Sequence, residues 1–102
     1  MPDFFFVAKR SEIPEGTGLC VEAEGKRIAL FRLGDDVCAI DDSCPHAEGP
    51  LSEGGLEGEV VECPWHGSCF NVRTGGVLRG PAAESVATYP VRVTGEEVEV
   101  EL

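Results

Sequence analysis

The chain has 102 residues, with 19 acidic and 8 basic side chains and a formal net charge of −11. That length suits a single domain, 1–102, and leaves no room for two. The charge argues against nucleic acid and against anionic membrane surfaces, because both need a basic face, while a partner with a basic docking face is favoured by complementary fields.

In chain order the elements read as all-β. Met1-Pro2-Asp3-Phe4-Phe5-Phe6 has an apolar run but no basic n-region and no cleavage pattern, so no signal peptide is expected and a cytoplasmic location is implied. Phe4 to Lys9 reads as a first strand with ordinary core contacts, and Ser11 to Gly16 has room for one short turn. Leu19 to Glu22 is a short strand, Glu24-Gly25 a turn, and Arg27 to Leu33 a strand carrying Ile28, Leu30 and Phe31. Gly34-Asp35-Asp36 is a tight turn into Val37 to Ile40. Cys20 and Cys38 lie on these strands and are expected in the core. Thr88 to Val93 and Val98 to Leu102 alternate with period two around Gly95, which predicts a C-terminal hairpin. No segment is long and apolar enough to span a bilayer, and none keeps a helical period.

Between these strands the character changes. From Asp41 to Pro81 the chain is rich in Gly and Pro, with short apolar runs only at Val60-Val61 and Phe70 to Val72. A long irregular insert in a small domain is usually functional. It holds Cys44-Pro45-His46 and, after sixteen intervening residues, Cys63-Pro64-Trp65-His66-Gly67-Ser68. These two loops contain the only two histidines, and five cysteines in all is an odd number that argues against a pure disulfide framework. Thiolate with imidazole suits either an iron–sulfur cluster or zinc, and a Cys2His2 set could hold one zinc ion. Gly49-Pro50 and Gly67 permit tight turns that bring backbone N–H groups toward a bound anion.

The pattern Cys44-x-His46, then Cys63-x-x-His66, resembles the Rieske family. So do Ala39-Ile40, Leu51, Gly55, Phe70-Asn71, Thr74-Gly75, Pro81 and Tyr89-Pro90-Val91-Arg92-Val93, which are similar to the soluble Rieske ferredoxins of bacterial oxygenase systems. The resemblance implies an antiparallel β-sandwich base with an inserted, loop-rich cluster-binding subdomain, roughly 41–82. It implies one [2Fe–2S] cluster, with Cys44 and Cys63 on one iron and His46 and His66 on the other. Gly80-Pro81-Ala82 matches the proline loop that covers the cluster from a third side. The partners implied are a flavin- or NAD(P)H-dependent reductase and a terminal oxygenase. A small subunit of a nitrite reductase is the alternative of similar fold.

Respiratory Rieske proteins differ at three matching positions. Their two disulfide cysteines correspond to Gly49 and Trp65, and a tyrosine that donates to a ligand sulfur corresponds to Phe70. Ser68 is retained as a donor to a bridging sulfide. Fewer donors to sulfur lower the expected potential. Trp65 is expected to pack between the loops where the disulfide is missing, Cys69 to be a small buried thiol, and Asp41-Asp42 to be solvated loop charge. With both histidines committed to the cluster, none is left for a 2-His-1-carboxylate iron site, and no Gly-x-Gly-x-x-Gly loop is present, so the chain is expected to be an electron carrier and not an enzyme. The insert, having little core of its own, is expected to depend on the cluster for its order.

Overall fold

The computed structural model describes residues 3–43, 49–65, 67–80 and 84–102. Within them the strands are β1 (Phe4–Lys9), β2 (Gly18–Ala23), β3 (Lys26–Leu33), β4 (Asp36–Asp41), β5 (Gly55–Glu57), β6 (Val60–Glu62), β7 (Cys69–Asn71), β8 (Val77–Arg79), β9 (Thr88–Tyr89), β10 (Val91–Thr94) and β11 (Glu97–Glu101). Two short 3₁₀ turns, Arg10–Glu12 and Leu51–Glu53, complete the regular structure. The strands form three antiparallel sheets, ordered β1-β11-β10, β2-β3-β4-β9 and β5-β6-β7-β8. Among the described residues no helix is long and apolar enough to cross a membrane.

Period-two alternation explains how the sheets stack. On β3, Ile28 and Leu30 face one core, with Ala8, Ile13, Val98 and Val100. The intervening Ala29 and Phe31 face a second core, with Leu51, Val61, Phe70 and Val72. Both faces are covered, so 28–31 is a continuous buried run. β4 divides the same way, with Val37 and Ala39 on one side and Cys38 and Ile40 on the other. The sheet containing β3 and β4 is therefore the middle layer. The sheet of β1, β10 and β11 lies on one face of it and the insert on the other. Each fully buried side chain of Val, Leu or Phe size contributes roughly 1.5–3 kcal/mol.

The expected first strand and the Glu24-Gly25 turn are in place. The expected C-terminal hairpin is interrupted. Pro90 supplies no amide N–H, and there the chain leaves the middle sheet, where Tyr89 pairs with Ala39, for the outer one, where Val91 pairs with Val100. Four expectations are corrected. The insert is loop-rich as expected but is not short of core: β5 to β8 form a four-stranded sheet, and Leu51, Val61, Phe70 and Val72 bring it a fully buried core shared with β3 and β4. Cys20 is exposed because it shares a face of β2 with Glu22, while Leu19 and Val21 turn to the core. Cys38 and Cys69 are only partly buried. The Phe4–Phe6 run is peripheral: Phe6 is 55% exposed and Phe4 lies under the Arg92 guanidinium at 4.3 Å.

Candidate metal centre

Of the four expected ligands, Cys63 is described; Cys44, His46 and His66 lie outside the described residues, as do Pro81 and Ala82 of the proline loop. Cys63 directly follows β6, and Cys69 opens β7 opposite Glu62, so 63–68 is the hairpin loop between them. Its backbone closes it twice. The Cys63 N–H donates to the Ser68 carbonyl at 2.7 Å, and the Gly67 N–H donates to the Cys63 carbonyl at 3.1 Å. Gly67 sits at φ +77°, a conformation that side chains with a Cβ rarely adopt, so glycine here lets the chain reverse immediately after His66.

The first loop starts where β4 ends. Ser43 and Pro50 form an isolated antiparallel bridge, and the Leu51 N–H donates to the Asp42 carbonyl at 2.7 Å. The Asp42 carboxylate accepts the Ser52 N–H at 2.8 Å and pairs with Arg27 at 3.2 Å. Asp42 is 1% exposed, so the reading of Asp41-Asp42 as solvated charge is wrong for this residue. Continuing the alternation of Cys38 and Ile40 places residue 42 on the buried face, and that signal was present in the sequence. Asp41 is committed too: it accepts the Tyr89 hydroxyl at 2.5 Å. Burial, together with that bond, pushes the Tyr89 phenol up to about 12.

The two loops meet. A Cβ built on Gly49 stands 2.9 Å from the Cys63 Sγ and 3.1 Å from the Trp65 ring. Backbone of the first loop thus lies against a thiol of the second, in a space that any side chain would fill. Cys63 is 1% exposed and shares its core with Val61, Phe70 and Leu51. Ser68 and Phe70 are fully buried beside it in sequence. A buried soft donor with close, side-chain-free backbone from the opposite loop fits a thiolate-bound iron–sulfur centre. Gly49 and Trp65, the positions matching the respiratory disulfide, are in contact, so the expected packing of Trp65 between the loops holds. The indole nevertheless remains 59% exposed, leaving an aromatic face at the junction.

On the third side, Arg79 at the end of β8 donates to the Gly67 carbonyl from Nε at 3.3 Å and Nη2 at 3.1 Å, and pairs with Glu62. The Cys69 thiol also lies 3.7 Å from that carbonyl. Sequence reasoning missed Arg79. The available signal was that Arg73 and Arg79 are the only cations among seven acids between Asp41 and Ala82.

The three-layer all-β fold, with Gly49 set against the buried Cys63 thiol at one end of an inserted sheet, defines a Rieske-type iron–sulfur protein. Residues 3–90 match the model of the Rieske [2Fe–2S] domain, and the chain belongs to that family. It is 42% identical over 91 residues to the ferredoxin component of a naphthalene 1,2-dioxygenase system from Pseudomonas aeruginosa, covering 89% of this chain and 88% of that protein. Among solved structures, a chain in the complex of reduced oxygenase and oxidized ferredoxin in carbazole 1,9a-dioxygenase superposes with a TM-score of 0.87. The two chains are 38% identical, with 95% and 91% of them covered. The sphingomonad ferredoxin of Sphingomonas yanoikuyae B1 superposes at 0.91 with 25% identity, covering 98% of this chain and 99% of that one. Membership of the family removes the zinc alternative.

Proposed function

We propose that the chain carries one [2Fe–2S] cluster, held by Cys44, His46, Cys63 and His66, and passes single electrons from a flavin- or NAD(P)H-dependent reductase to a terminal oxygenase. The observation that carries this reading is the buried Cys63 thiol with the Gly49 backbone of the opposite loop packed against it. When bound, the cluster supplies one reversible electron. The chain's residues do the rest. Cys63 and the core around it exclude water from the thiolate side, the Gly67 turn sets the direction of the chain after His66, and the Gly49–Trp65 contact holds the two loops together without a disulfide. Residues 1–102 act as one domain, with roughly 41–82 as the cluster-binding part, and the cytoplasm is the location that suits an exposed cysteine, Cys20, outside any disulfide. The alternative, a subunit of a nitrite reductase, has weaker support: that relative shares the fold but only 26% identity, against 42% for the dioxygenase ferredoxin.

Phe70 stands fully buried where a sulfur-directed hydroxyl would raise the potential, and the net charge of −11 opposes adding an electron. Protein-film voltammetry near neutral pH should therefore place the couple at the low end of the Rieske range, on the order of −150 mV. A potential well above zero would contradict the assignment as a carrier to an oxygenase.

A further inference from the structure

Among the described residues of the second ligand loop, Arg79 hydrogen-bonds the Gly67 carbonyl, and does so with two donors of its fork. Gly67 is then held on both sides, because its N–H is bound to the Cys63 carbonyl. The residue directly before it is His66. Arg79 also lies two residues before Pro81 in the sequence. The other cation of the insert serves elsewhere: Arg73 pairs with Glu59 and with Asp36, and Asp36 opens β4 at the end opposite the first ligand loop. Arg79 is 62% exposed, and the open groove that it lines together with Glu57, Glu62 and Cys69 has a volume of about 490 Å³. An arginine this accessible gives the fold little by burial. What it contributes is its two hydrogen bonds to Gly67 and its ion pair with Glu62.

We propose that Arg79 is a positioning residue for the His66 side of the cluster, fixing the turn at Gly67 and setting a positive charge beside a centre that becomes more negative on reduction. The inference rests on the cluster assignment above. Two thiolates and two neutral imidazoles leave the oxidised [2Fe–2S] centre neutral, and one electron takes it to −1, so a nearby guanidinium favours the reduced form. Removing it also leaves the Glu62 carboxylate uncompensated, which acts in the same direction. The fork matters separately from the charge, because a lysine offers a point charge without two coplanar donors.

The test compares the purified holoprotein with Arg79→Gln and Arg79→Lys, measuring cluster loss to a chelator, the reduction potential and the EPR spectrum of the reduced state. In R79Q the cluster should be lost about fivefold faster, the net scale of one ordinary hydrogen bond in an exposed setting. The potential should fall and the EPR spectrum should shift. R79K should recover most of the potential and less of the retention. R79Q indistinguishable from wild type in retention and potential would overturn the proposal. Faster loss with unchanged potential and spectrum would also overturn it, by reducing Arg79 to a structural tie. A wild-type chain that holds no iron–sulfur cluster would overturn the underlying assignment, visible before any variant is compared, and this inference with it.

Discussion

The described flanks of the first ligand segment, Ser43 and Pro50, and the described part of the second, Cys63 with Gly67 and Ser68, are anchored by opposite means. The first is tied to the middle sheet from below, through a carboxylate that is 1% exposed, accepts a buried backbone N–H and pairs with Arg27 of β3. The second is a hairpin loop closed by its own backbone and tied from outside by Arg79, paired with Glu62 where both side chains are more than half exposed. The difference lies in what water can replace. A solvated ion pair exchanges its partner for water at small cost, whereas the Ser52 N–H, if it lost Asp42, would have no such substitute. The first loop is therefore built into the framework, and the second is adjustable from the surface.

The largest effect tests whether the loops share one centre. Serine at either Cys44 or Cys63 should abolish cluster assembly, seen as complete loss of the visible absorption, while Cys69→Ser should leave the spectrum nearly unchanged. Loss of the cluster in the Cys69 variant would reassign the thiols. The next effect contrasts the anchors directly. Asp42→Ala should destabilise the protein by about 2 kcal/mol, the cost of a buried N–H left without its acceptor. Glu62→Gln should cost less than about 1 kcal/mol, as expected for an exposed pair. Equal losses in denaturant titrations would erase the distinction drawn between the loops.

Much of the base was legible in the sequence because 97–101 alternates with period two and 28–31 is a continuous apolar run on a long strand. The sheet of the insert was not, because β5 to β8 are three residues each, too short for a period to appear. Its core is supplied across layers, Val61 and Phe70 packing with Phe31 and Ile40 far away in sequence. The proposed ligand set rests on the pairing of each thiol with an imidazole in the sequence. The anchors were legible only in outline: alternation from Cys38 and Ile40 puts residue 42 on the buried face, but which backbone groups Asp42 and Arg79 hold depends on what the fold brings to them.

The smallest effect belongs to the base. Tyr89 joins β9 to the end of β4 through Asp41, and its phenol ionises at about 12 in the folded chain, against an ordinary value of 10.0. A raised value means that folding favours the protonated form. Its contribution is therefore complete below pH 10 and is lost as the pH rises toward 12. Stability should decline through that window, and Tyr89→Phe should flatten the decline. An equal slope in the variant would place the alkaline sensitivity elsewhere.

The central claim is that the two loops together hold one cluster through two thiolates and two imidazoles. Nitrogen ENDOR on the reduced protein tests it most directly. The account predicts couplings from two directly bound histidine nitrogens, both lost when His46 and His66 are replaced together. A reduced iron–sulfur signal with no bound nitrogen, or a chain that yields no such signal after expression with adequate iron, would contradict it.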